Sequence, residues 1–225
     1  MGKLVWVRVP PFAILLNALD SKRMKEERSE GIVLKTFDYK ENERIVTIFT
    51  ESDGVVALIA KNVKNKIAIT TPFCQAEFLF TKGKSDLFKF QDGTILDDHH
   101  YLRQNLSHLQ AAAEMLKIIL KSQLPGKPAP KLYALLLAYL RQLPHFKDVT
   151  PLLTSFHLKL LMHEGLLSWE RPNLFPVPLT QLEWDLLKRL ALTRSFKEIE
   201  GICITSELSL KLKNSLCSFL IDNII

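Results

Sequence analysis

Residues 30–62 read EGIVLKTFDYKENERIVTIFTESDGVVALIAKN, and this stretch decides the fold. Apolar side chains recur in short runs: Ile32, Val33 and Leu34; Ile45, Val46, Ile48 and Phe49; Val55, Val56, Leu58 and Ile59. Each run is bounded by polar turn residues, a pattern that suits buried or half-buried strands. Asp53-Gly54 separates the second run from the third. That dipeptide accepts the positive φ of a tight hairpin, so the strands on either side of it are expected to pair directly. Lys61, Lys64 and Lys66 follow in a loop-like KNVKNK segment, where amines can reach phosphates without disturbing a barrel.

Downstream, Phe73 to Phe80 alternates, with Gln75 and Glu77 facing one way and Phe78 and Phe80 supplying apolar bulk. A Lys82-Gly83-Lys84-Ser85 turn leads to Leu87-Phe88-Lys89-Phe90, and Asp92-Gly93 reads as a further turn. Five strands in about sixty residues is the size of an OB-fold barrel.

From Tyr101 the apolar period becomes helical. Leu109, Ala112, Ala113, Leu116 and Ile119 or Leu120 form one face, broken by Pro125-Gly126 with Pro128 and Pro130. Leu132, Leu135, Leu136, Tyr139 and Leu143 form a second, ended by Pro144. Leu153, Phe156, Leu160 and Leu161 form a third, with Gly165 placed as its C-terminal cap. Leu179, Leu182, Leu186, Leu187 and Leu190 give a fourth, and Leu208, Leu212, Leu216, Phe219 and Leu220 a fifth. The expected class is therefore α+β: an extension over 1–28, an OB-fold barrel over 29–97 and a helical bundle over 98–225.

The barrel segment resembles the N-terminal domain of the RecO family of bacterial DNA-repair and recombination mediators. The resemblance is carried by Gly31-Ile32-Val33-Leu34, the turn Glu41-Asn42-Glu43-Arg44, Phe49-Thr50 with Gly54, Ala60-Lys61 and Thr71-Pro72-Phe73. It covers roughly Glu30 to Phe90. Asn62 stands where the family usually has glycine. The resemblance implies binding of single-stranded and duplex DNA, strand annealing, and help in loading recombinase onto protein-coated strands. It also implies contacts with RecR and with the acidic tail of single-stranded-DNA-binding protein, and RecA as an indirect partner. Some relatives carry a four-cysteine zinc module. Cys74, Cys203 and Cys217 have no C-x-x-C spacing, so neither zinc nor a disulfide framework is expected, and no cofactor.

Charge is informative by location. The chain of 225 residues carries 30 Lys and Arg against 24 Asp and Glu, a net charge of +6. Residues 61 to 89 hold six lysines against only Glu77 and Asp86, whereas 101 to 225 carry a scattered fifteen basic and ten acidic groups. The first thirty residues are read as a dispensable extension with Met24 the better start. Leu4 to Leu19 is interrupted by Arg8 and Pro10-Pro11, which suits neither a secretory signal nor a membrane span. Removing Lys3, Arg8, Asp20, Lys22 and Arg23 lowers the net charge from +6 to +3, so the local lysines carry the argument rather than the total. A cytoplasmic, nucleoid-associated protein without membrane contact is expected.

The candidate DNA-binding residues are Lys35, Arg44, Lys61, Lys64, Lys66, Lys82, Lys84 and Lys89. OB-folds combine such a basic groove with aromatic stacking platforms. Phe37, Tyr39, Phe88 and Phe90 are candidates for that role, but each is read first as barrel core, because small barrels fill their interiors with such rings. Asp97-Asp98-His99-His100 groups four metal-ligand types, yet adjacent residues rarely chelate one ion. A strand-to-helix junction with capping carboxylates is the preferred reading. His157 and His163 are six apart, and Glu164 completes no H-E-x-x-H pattern. Neither a nucleophile elbow nor a phosphate-binding glycine loop occurs, so no catalytic residue is expected. Two other classes stay open: a protein-interaction adaptor whose basic loop is only solvated, and a metal-dependent nuclease using Asp97, Asp98 and His99.

Overall fold

Asp53 and Gly54 close the turn between the second and third strands, with Gly54 at φ +69°. The Thr50 hydroxyl holds this turn, accepting from the Asp53 amide at 3.0 Å and donating to the Gly54 carbonyl at 3.1 Å. Around this hairpin the computed structural model builds a closed five-stranded barrel followed by helices, and it describes residues 26–83, 86–170, 178–205 and 207–212.

The strands are β1 (Glu26–Lys40), β2 (Glu43–Thr50), β3 (Gly54–Lys61), β4 (Gln75–Thr81) and β5 (Leu87–Asp97). Their order around the barrel is β1-β2-β3-β5-β4, and β4 pairs back onto β1. All pairings are antiparallel except the short parallel contact of β3 with β5. Asp92-Gly93 is not a turn. Both residues lie inside β5, where Gly93 pairs with Phe78. A Cβ on Gly93 would meet the Glu77 carbonyl oxygen at 2.6 Å and the Ile69 side chain at 2.7 Å, so the glycine serves close packing rather than chain reversal.

Alternation along β2 and β3 divides two cores. Val46, Ile48, Val56 and Leu58 point into the barrel with Val33, Phe78, Phe80 and Phe90. Ile32, Leu34, Phe49, Val55 and Phe73 point outward and join the helical core. One face of the barrel is thereby sealed by helices.

The helices are α1 (Leu106–Ser122), α2 (Pro130–Gln142), α3 (Thr150–His163), α4 (Gln181–Leu192) and the short α5 (Phe196–Glu200). Asn105 caps α1, its side chain accepting from the amides of Ser107 and His108. Thr180 and Glu183 form a capping box at α4. The α3 helix is central: Leu152, Phe156, Leu158, Leu160 and Leu161 are all buried. Lys159 on α3 reaches across to donate to the carbonyls of Ala191 and Thr193 at 2.9 and 2.6 Å, which satisfies the C-terminal end of α4. Gly165, at φ +72°, follows α3 and donates to Met162. Two residues leave the faces expected for them: Ala113 is exposed while Ala111 and Met115 are buried, and Leu182 is 83% exposed. Of the fifth face, Leu208 and Leu212 are buried within a helical segment at 207–212, and Leu216, Phe219 and Leu220 lie outside the described residues.

A polar network ties barrel to helices. The Glu30 carboxylate on β1 accepts from Gln75 Nε2 at 2.6 Å and from the Tyr133 hydroxyl at 3.0 Å, and Arg141 donates to Gln75 Oε1 at 3.2 Å. Burial, together with the Glu30 carboxylate, pushes the Tyr133 phenol far up, so it stays protonated and can donate to Glu30.

Candidate nucleic-acid interface

The barrel face left open by the helices is set by strand register. Ile45, Thr47, Ala57 and Ile59 alternate with the interior residues of β2 and β3, so they face out. On β1, Leu34 is the extra residue of a bulge between Val33 and Lys35. The bulge reverses the alternation, so Lys35 and Phe37 fall outside while Thr36 pairs with the interior Val46. Two cross-strand rows follow. One runs Lys35, Thr47, Ala57 and Leu87; the other runs Phe37, Ile45, Ile59 and Lys89. An apolar strip is thus flanked by lysines, with the Phe37 ring 43% exposed and Lys35 5.8 Å from its centroid.

Two of the four aromatic candidates therefore leave the core. Phe37 and Tyr39 are exposed, the latter by 53%, because β1 runs past the barrel wall and its register shifts again between Asp38 and Lys40. Phe90 is buried, and Phe88 lies flat on Phe80 with centroids 5.9 Å apart, in keeping with core.

The cations occupy different settings. Lys35, Lys64 and Lys89 are exposed and form no ion pair with a described residue. Lys61 pairs with Glu43 at 2.9 Å, and its ammonium holds that carboxyl below the usual range. Arg44 is mostly covered, bonding Asp38 at 2.8 Å and the Thr70 hydroxyl at 3.3 Å. Lys66 donates to the Gln91 carbonyl at 2.7 Å and lies 4.7 Å from the centroid of Phe90. Lys82 sits between the carboxylates of Glu27 and Asp53. Burial opposes its charge, but the two carboxylates prevail and raise its pKa. Burial likewise opposes ionisation of Asp53, which Lys82 and Ser52 nonetheless hold low. Lys84 lies outside the described residues.

The KNVKNK segment is folded rather than open. Asn62 takes the left-handed conformation at φ 57°, and asparagine is one of the few non-glycine residues suited to it. A 3-10 turn over Val63–Asn65 follows, and a second at Ala68–Thr70 seats Ile69 in the barrel end.

The Asp97-Asp98-His99-His100 cluster forms the junction expected of it. Asp97 accepts from the His99 amide at 2.8 Å and Asp98 from the His100 amide at 3.1 Å. His99 is fully buried at φ 47°. Burial pushes its imidazole down, against the pull of Asp97. Among the described residues no group of three or more His, Cys, Asp or Glu side chains is placed to hold a metal ion. No described helix is long and apolar enough to cross a membrane.

Comparison with known proteins fits this geometry. A family model described as "Recombination protein O N terminal" matches residues 24–99, and "Recombination protein O C terminal" matches residues 103–167. Together they account for more than half of the chain. The chain belongs to the RecO family. Proteins named DNA repair protein RecO are similar to it: that of Syntrophomonas wolfei is 30% identical over 142 residues, 61% of this chain and 56% of that relative. The Bacillus pumilus RecO is 33% identical over 143 residues, 62% of this chain and 56% of its own length. The Clostridium kluyveri RecO is 28% identical over 202 residues, covering 86% and 74%. The chain thus spans little more than half the length of the first two RecO relatives. The first RecO model covers the whole barrel and ends at the buried His99; the second begins at Arg103 and ends at Leu167, beyond α3.

Sequence reading alone missed the outward rows, Ile67 beside Tyr39, and the Glu30 network. The exposure of Lys35 and Phe37 follows only once the strand register shows Leu34 to be a bulge.

Proposed function

We propose that this chain acts in DNA repair and recombination by binding DNA on the open barrel face. The observation that carries the reading is the pair of outward rows, in which Phe37, Ile45 and Ile59 are edged by Lys35 and Lys89. Phosphates are drawn by uncommitted ammonium groups, and unpaired bases by an exposed apolar and aromatic strip. Lys35, Lys64 and Lys89 are assigned to phosphate contact, with Lys61 shared between Glu43 and the strand. Arg44, Lys66 and Lys82 are assigned to holding the barrel and its turns.

Strand annealing needs only screening of two polyanions and transient exposure of bases, so no bond-breaking step is invoked. The same face would bind duplex through phosphates alone. By likeness to its family, the chain would bind the tail of single-stranded-DNA-binding protein through its helical part, would also bind RecR, and would so assist recombinase loading. The experiment is annealing of complementary oligonucleotides, one carrying a donor dye and the other an acceptor, with and without single-stranded-DNA-binding protein. Faster annealing in both conditions supports the reading; annealing no faster than the spontaneous rate rejects it.

A further inference from the structure

Beside the open face lies a groove of about 470 Å³, between the tip of the β1–β2 hairpin and the turns at 63–67. That volume is in the range of sites that hold small organic ligands. Its two apolar walls come from different elements: the Tyr39 ring from the hairpin and Ile67 from the turn, each more than half exposed. Neither is spent on the barrel core. Lys40 lies 5.3 Å from the Tyr39 ring centroid, and Lys64 lines the groove as well. Of the three carboxylates on its lining, Asp38 is answered by Arg44 and Glu43 by Lys61, while Glu41, at the tip of the hairpin, is exposed to solvent. The turn itself is fixed by the left-handed Asn62 and by the Val63 amide, which donates to the Asn42 carbonyl at 3.4 Å.

We infer that this groove receives one unpaired nucleobase, stacked on Tyr39 and walled by Ile67, while Lys40 and Lys64 take the flanking phosphates. The inference rests on the reading of the open face as a DNA site. Continuity favours it: Tyr39 follows Phe37 along β1, and Lys64 follows Lys61, so a strand crossing the face arrives at the groove. A base inside a duplex keeps its faces stacked and cannot enter without being extruded. The groove would therefore make the protein prefer single strands, which phosphate contacts alone would not.

The test uses the full chain with three probes of equal length: a fluorescent single strand, the matching duplex, and a strand of abasic sugar-phosphates. Tyr39→Ala is expected to weaken single-strand binding about 5- to 150-fold, the range of one lost base stack. Duplex and abasic affinities should stay within about twofold, Tyr39→Phe should bind like the parent, and Ile67→Ser should shift single-strand binding in the same direction by less. Equal losses on all three probes, or no loss on the single strand, would overturn the groove as a base site. If the parent chain binds none of the probes, the DNA reading falls and the groove with it. If the parent binds and Tyr39 proves immaterial, only the groove falls.

Discussion

The carbonyl oxygen of Lys127 stands against Gly54, in the place a β-carbon on that residue would occupy. The glycine that turns the β2–β3 hairpin thus also admits the α1–α2 connection, which is held there by the Gly126 amide donating to the Val55 carbonyl at 3.0 Å. Barrel and helices meet through backbone at this point. Gly54→Ala meets two penalties: a positive φ, costing about 1–2 kcal/mol, and overpacking, costing about 1–3 kcal/mol. A loss of about 2–5 kcal/mol in urea unfolding is expected, whereas Gly126→Ala, with open space around it, should show only the cost of its positive φ.

The lysines should separate by setting. Lys82→Ala leaves Glu27 and Asp53 without their shared cation, and Lys66→Ala removes the bond to Gln91. Each is expected to lower stability by about 1 kcal/mol while sparing DNA affinity. Lys64→Ala should do the reverse. Paired urea melts and anisotropy titrations of the three variants check this, and a Lys82→Ala protein of unchanged stability but weakened DNA binding would reassign that residue to the interface.

His99 makes stability depend on pH. Its buried ring has a lowered pKa, so below about 6.5, the ordinary imidazole value, the unfolded chain takes up a proton that the folded one resists. The stabilisation is fully present above that value and is lost as pH falls through the folded pKa. Urea unfolding between pH 7.5 and 5.5 should show a decline that His99→Asn, which suits the left-handed backbone, flattens.

Tyr133 anchors α2 to the barrel through Glu30. Tyr133→Phe leaves Glu30 with Gln75, so a modest loss of about 0.5–1.5 kcal/mol is expected, with the barrel itself intact. Adding Glu30→Gln to the pair, in a double-mutant cycle, checks that the two side chains are coupled.

The barrel was legible because its signals are local: alternating runs, Asp53-Gly54, and a lysine loop beginning at a left-handed asparagine. The helical faces were legible by period, except where tertiary packing chose a neighbour, as with Met115 over Ala113. Asp92-Gly93 misled because glycine serves two purposes, turning a chain and letting Ile69 close the barrel end. Phe37 was hidden by Leu34. One extra residue reverses the alternation, and nothing in the local composition marks where a bulge falls. The engagement of Lys82 by Glu27 and Asp53 joins three separated positions, which no pattern in a single sequence brings together.

The most direct test of the open face as a DNA site is single-strand binding by anisotropy as a function of salt, for the parent and for Lys35→Ala/Lys64→Ala/Lys89→Ala. The parent's affinity should fall by at least about tenfold between 50 and 200 mM salt, and the triple variant should lose about 2 from the slope of log affinity against log salt. An affinity that barely changes with salt, or a triple variant with the parent's slope, would contradict phosphate binding by these lysines.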